Sequence, residues 1–140
     1  MDRLIIRHGF VLILLALLGG MLAPFMVNPR LGVGAHALGI LGGLVLIAIG
    51  ATKPVFVLDR RLWLAMHACW FAAAYGNWAN TMVAGLTGAS YLTPIAGAGT
   101  SGTPFAEAVV FIFFVMVGVT SVIGTAIAVY GLVGASRSGS

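Results

Sequence analysis

His36, Tyr75, Asn77, Asn80, Glu107 and Arg30 are the residues of this chain whose types and spacing could do chemistry in one place. An imidazole can move a proton or ligate a metal. Asn77 and Asn80, three residues apart on one helix face, can orient a substrate through their amides, and Glu107 can carry a proton where its environment tunes it. The common catalytic patterns are missing: there is no paired-carboxylate arrangement, no H-E-x-x-H, no P-loop, no G-x-S-x-G and no cysteine and histidine at one depth. A zinc site normally takes three or more protein ligands. A cofactor that brings its own four equatorial ligands needs only one, and haem b is of that kind. His36 would be its axial ligand, and Arg30 could pair with a propionate.

The elements that must position these residues are set by composition. The chain has 140 residues, 61% hydrophobic and 7% charged, with a mean hydropathy of +1.11, against about 25% charged residues in soluble domains. Four apolar runs, about 4–26, 31–52, 62–86 and 104–133, are each long enough to cross a hydrocarbon core of about 30 Å. They predict an all-α integral membrane four-helix bundle, a single transmembrane domain over residues 1–140. The first run is too long for a signal-peptide core and lacks a small-residue cleavage site, so it is read as a helix. The lone Cys69 excludes an intrachain disulfide, and no C-x-x-C-H offers covalent haem attachment.

The net charge of +4 does not mark a nucleic-acid binder, because the basic residues are scattered over helix ends. Arg3, Arg7, Lys53, Arg60, Arg61 and Arg137 fall on one side and Arg30 alone on the other, which places both termini in the cytoplasm. His36 then lies roughly 8 Å below the outer surface. Tyr75, Asn77 and Asn80 near the end of the third helix, and Glu107 at the start of the fourth, return to that depth. His8 and His67 belong to the cytoplasmic third, on the order of 15 Å away along the bilayer normal.

Between Leu86 and Pro104 runs an uncharged loop rich in Gly, Ser and Thr, of the kind that carries function or forms a lid. Thr103-Pro104 reads as a helix start, Asn28-Pro29 as a turn, and Gly39-x-x-x-Gly43 as a seam for a neighbouring helix or subunit. Polar groups at membrane depth are costly, and ionisable ones there are a functional-site hypothesis by default. Taken singly, each also has a structural use: histidine and asparagine bond neighbouring helices, Tyr75 serves as a belt aromatic and Glu107 complements a helix dipole.

The runs "RHGFVLILLALLGGMLAP" at 7–24, "NPRLGVGAHALG" at 28–39, "YGNWAN" at 75–80 and "PIAGAGTSGTPFAEA" at 94–108 resemble the bacterial hydroxylaminobenzene mutases over nearly the whole chain. More remotely, the chain is similar to the styrene oxide isomerases, which share the N-terminal H-G, the A-H on helix two and an asparagine after a tryptophan on helix three. The first resemblance implies conversion of hydroxylaminobenzene to 2-aminophenol by intramolecular hydroxyl transfer. The second implies a homotrimer in the bacterial inner membrane, a ferric haem b acting as Lewis acid, His36 as its axial ligand and Asn80 at the helix-three asparagine.

On that footing Asn80, Asn77 and Tyr75 would orient the substrate, Glu107 would shuttle the proton released on rearomatisation, and Arg30 would help to hold the cofactor. The partners are a small aromatic hydroxylamine, the lipid bilayer and further copies of the chain, with no nucleic acid. Two polar groups of the relatives are replaced: an asparagine two turns after the axial histidine falls on Gly42, and the tyrosine of the epoxide isomerases falls on Ala84. Rival functions are an epoxide isomerase, a non-catalytic haem-binding or quinone-binding subunit, and a small transporter. The purely aliphatic middles of the first two helices disfavour the last.

Overall fold

The computed structural model describes residues 1–97 and 99–137, and for 134–137 the backbone alone, so the side chain of Arg137 lies outside the described residues. Four long helices carry the fold: α1 (Arg3–Leu22), α2 (Pro29–Ala51), α3 (Arg60–Thr87) and α5 (Pro104–Arg137), with a single turn, α4 (Pro94–Gly97), in the loop before α5. Their ends follow local chemistry. Asn28 caps α2 by accepting the Leu31 N–H at 3.2 Å, and Pro29 stands at the first helical position, where its missing N–H costs nothing. Asp59 caps α3 through Leu62 N–H at 2.8 Å, and Gly88, at φ +75°, ends it. Thr103 Oγ1 accepts the Ala106 N–H at 3.2 Å to open α5.

The helices stand in a row, α1 against α2, α2 against α3 and α3 against α5. The seam between α1 and α2 is closed by small residues. A Cβ on Gly39 would come within 2.5 Å of the Ala16 methyl, and one on Gly43 within 2.6 Å of the Gly9 carbonyl oxygen. The Gly39-x-x-x-Gly43 motif is therefore used inside the chain. Leu12, Leu46 and Met66 are fully buried along this row, and Trp63, Trp70, Phe71, Tyr75 and Trp78 of α3 pack on the cluster formed with Ile5 and Ala74. A second core, made by Leu31, Ala84, Ala89, Ala106 and Val110, lies where the loop before α5 returns to the bundle.

Among the described residues three segments are long and apolar enough to cross a membrane, Arg3–Phe25, Pro29–Ala51 and Pro104–Val133, which marks a multi-pass membrane protein. The sequence reading counted four. The third run is one helix of 28 residues, long enough at about 42 Å, but Arg60, Arg61, His67, Tyr75, Asn77 and Asn80 dilute its apolar character. Outward faces of α1 and α5 are aliphatic and aromatic, with Met21 72% and Ile112 64% exposed, surfaces that suit lipid or a neighbouring helix rather than water.

Candidate functional site

His36 stands on the face of α2 that meets α1. Its Nδ1 lies 3.0 Å from the Ala16 carbonyl oxygen. A carbonyl only accepts, so the ring proton resides on Nδ1 and Nε2 of the neutral ring keeps its lone pair. This is the arrangement by which a backbone carbonyl fixes the tautomer of a metal-ligating histidine. Gly20 makes room for it, since a side chain there would strike Nδ1. The half-buried ring lines an apolar cleft of about 240 Å³ with Leu17, Gly20, Met21 and Val33, and Nε2 has no hydrogen bond among the described residues.

A second cavity, of about 260 Å³, opens on the other face of α2. From α3 it receives Asn77, Asn80, Thr81 and Ala84, from α2 Gly34 and Leu38, and from α5 Val110 and Phe114, while Arg30 stands at its edge. Asn80 is 7% exposed, and its Oδ1 is buried with no hydrogen-bond partner. An orphaned amide oxygen in an apolar interior costs about 1–3 kcal/mol. The cavity it lines is where a ligand could relieve that cost. Asn77 also reaches a smaller space of about 170 Å³ beside Trp70 and Ser121, bounded by Gly42. A Cβ at Gly42 would come 3.1 Å from the Ala74 methyl, a tight contact that Ala74 would have to yield to by a few tenths of an ångström.

The loop before α5 roofs this cavity with Leu92, Thr93 and Ala96. Two buried or half-buried polar side chains hold it. Asn28 Nδ2 lies 3.0 Å from Gly97 O, 3.2 Å from Ala96 O and 3.0 Å from Thr100 Oγ1. Glu107 accepts N–H bonds from Ser90 at 3.0 Å, Gly102 at 3.0 Å and Tyr91 at 3.1 Å. Both carboxylate oxygens are thus committed to backbone donors, and Glu107 is not among the residues lining the cavity. Asn28 was passed over in the sequence as part of a turn. Its signal was its place as a cap at the outer end of the bundle, next to the loop whose residue types already suggested a lid.

The six residues singled out in the sequence do not converge within one chain. At about 100° per residue, His36 lies some 160–200° around α2 from Gly34 and Leu38, so it faces away from the Asn77 and Asn80 cavity. Arg30 borders the cavity, not the His36 cleft. Tyr75 turns to the other end of the bundle, where its hydroxyl lies 3.1 Å from both His8 O and His8 Nδ1. His8 stacks edge-on against Phe71 at 4.9 Å, and His67 against Trp63 at 4.0 Å. The expected convergence rested on depth along the helix axes, which periodicity reports well. Direction around an axis depends on which neighbour covers each face. Among the described residues no group of three or more His, Cys, Asp or Glu could hold a bare metal ion; the donor that fits a cofactor with its own equatorial ligands is His36.

The chain belongs to the styrene oxide isomerase family, whose family model matches residues 1–133. Among curated proteins it is 34% identical over 133 residues to hydroxylaminobenzene mutase HabB of Ectopseudomonas oleovorans, covering 94% of this chain and 81% of that relative. It is 36% identical over 119 residues to hydroxylaminobenzene mutase HabA of the same organism, covering 84% and 88%. No solved structure matches the chain.

Proposed function

We propose that this protein rearranges a small aromatic hydroxylamine, converting hydroxylaminobenzene to 2-aminophenol by moving the hydroxyl group from nitrogen to the ring. The observation that carries this reading is an apolar cavity of about 260 Å³ with Asn80 and Asn77 in its wall, Asn80 being an amide whose buried Oδ1 has no partner among the described residues. An engineered apolar cavity of about 150 Å³ accepts benzene, so this space suits one aromatic ring with a polar substituent. The two relatives named hydroxylaminobenzene mutases support the same reaction class.

His36 would hold a haem b through Nε2, and such a group supplies a Lewis-acidic ferric iron that polarises a nitrogen–oxygen bond. Asn80 accepts a hydrogen bond from the N–H or O–H of the substrate and fixes which end of the molecule faces the reacting centre. Asn77, one turn earlier, provides a second amide at the same wall. Leu38, Val110 and Phe114 enclose the ring and exclude water, which strengthens every polar contact inside. Arg30, exposed at the edge of the cavity, pairs with a carboxylate at the membrane surface.

His36 and Asn80 serve one reaction only if the His36 face of one copy meets the cavity face of the next. Such a head-to-tail contact closes into a ring, and a trimer is the assembly we adopt, embedded in a bacterial cytoplasmic membrane with both termini inside. A second reading, epoxide isomerisation, takes its support from the family model's name. Glycine at 42 and alanine at 84, where the resemblance to the epoxide isomerases implies an asparagine and a tyrosine, weigh against it.

The test is purification in detergent, a pyridine haem assay and product analysis with hydroxylaminobenzene and, separately, styrene oxide. We expect pigment and 2-aminophenol from the parent, and His36→Ala to lose both. A variant that retains pigment and full turnover would remove His36 from the role assigned to it.

A further inference from the structure

We infer that Asn28 and Glu107 are positioning residues that pin the roof over the Asn80 cavity and thereby keep water from the reacting ring; the part concerning the ring rests on the function proposed above. Three observations point the same way. The roof reaches the cavity through Leu92, Thr93 and Ala96, none of them charged. Its two attachments come from different helices and grip different stretches: Asn28, at the head of α2, holds the carbonyls of Ala96 and Gly97 with the Thr100 hydroxyl, whereas Glu107, in the first turn of α5, holds the N–H groups of Ser90, Tyr91 and Gly102. Asn28 is also 4% exposed, and its backbone N–H bonds to Gly85 O at 3.0 Å, which ties the roof to the end of α3 that carries Asn80.

The division of labour within Asn28 makes the idea separable from folding. Oδ1 caps α2, and Nδ2 alone holds the roof. Asn28→Asp keeps the cap oxygen but sets a carboxylate oxygen against the Ala96 and Gly97 carbonyls, so it releases one end of the roof while leaving the helix start intact. Glu107→Gln acts at the other end: it keeps one acceptor oxygen and presents an amide donor where the Tyr91 N–H was bound.

What the roof excludes can be written as a balanced reaction. In the intramolecular path the N–O bond breaks and the same hydroxyl forms the C–O bond, while the ring C–H at that carbon is lost as a proton and nitrogen gains one, so the product is an isomer that keeps the substrate's oxygen. In the water path the N–O bond breaks, the C–O bond forms to a water oxygen, the ring hydrogen and one hydrogen of that water are lost as protons, and two protons are taken up, one by the original hydroxyl, which departs as water, and one by nitrogen. No oxidant is needed for either. The fraction of solvent oxygen in the aminophenol therefore reports the roof, and a merely structural defect that slows turnover leaves that fraction unchanged.

The experiment uses the full-length protein in detergent with Cys69→Ser, which removes the chain's single thiol, and Thr81→Cys in the cavity wall. The rate of modification by a water-soluble methanethiosulfonate is measured without substrate. Asn28→Asp and Glu107→Gln are each expected to speed labelling on the order of tenfold, the ratio that goes with losing roughly one net hydrogen bond of closure, measured below the thermal unfolding of each variant. Without the thiol substitutions, the same variants given hydroxylaminobenzene in ¹⁸O-water are expected to raise the labelled fraction of aminophenol. Equal labelling rates in parent and both variants would overturn the roof, whatever the activity. Faster labelling beside a parent that does not convert hydroxylaminobenzene would keep the roof and overturn the proposed reaction. Should one variant unfold, the other decides, because it acts on the opposite end.

Discussion

At the scale of single residues, the two groups that matter most are defined by what they lack. His36 spends Nδ1 on the Ala16 carbonyl and leaves Nε2 with a lone pair above an apolar cleft. Asn80 leaves Oδ1 buried without a donor. A chain selected for stability alone would replace such an amide with a hydrocarbon side chain, because an unpaired buried acceptor costs about 1–3 kcal/mol. Asn80→Leu should therefore hold its Tm or raise it by a few degrees, read by thermal unfolding in detergent, while kcat/KM for hydroxylaminobenzene falls by roughly tenfold or more. A loss of stability with unchanged kcat/KM would make Asn80 a packing residue. The residues themselves were legible in the sequence, since an imidazole and two amides stand out among aliphatic side chains. Their partners were not, because the Ala16 carbonyl and the orphaned state of Asn80 depend on contacts between helices.

At the scale of elements, boundaries were the most legible feature. Thr103-Pro104 opens a helix where its capping chemistry places it, whereas the caps at Asn28, read as part of a turn, and at Asp59 start α2 and α3 two residues before the apolar runs begin. The glycines of α1 and α2 announced a close seam without naming its partner, which is the neighbouring helix of the same chain. The start of α1 and the end of α2 are joined by Asp2 and Lys53, 3.2 Å apart, with Lys53 Nζ also 5.1 Å from the centre of the Trp63 ring. Partial burial pushes the Asp2 carboxyl up, but the hydrogen bond and charge of Lys53, together with the Ile5 N–H, outweigh it and hold Asp2 below its ordinary value of 3.8. A lowered folded value means that this stabilisation is present above the ordinary carboxylate range and is lost as pH falls through the folded value. The pair is largely exposed, so the effect is small, within the ~1 kcal/mol of surface ion pairs. Asp2→Asn should lower Tm slightly at neutral pH and by less near pH 3, checked by unfolding at both; an equal deficit at both values would assign the effect to something other than charge.

At the scale of the whole molecule, depth and direction part company. Hydropathy sets where along its helix each residue stands, whereas the opposite directions of His36 and Asn80 from α2 appear only when α1 and α3 are seen to occupy opposite sides of it. A chain this small then has half a site on each flank, and aliphatic surfaces on both, which is what a ring of copies needs. The measurement that bears most directly on this is complementation: His36→Ala and Asn80→Ala, each inactive alone, are co-expressed and the mixed assembly is assayed with hydroxylaminobenzene. If the site forms between copies, random mixing restores about a quarter of the parent activity, since half the contacts present an intact His36 and half of those meet an intact Asn80. Mixed assemblies with no activity above the single variants would contradict a shared site.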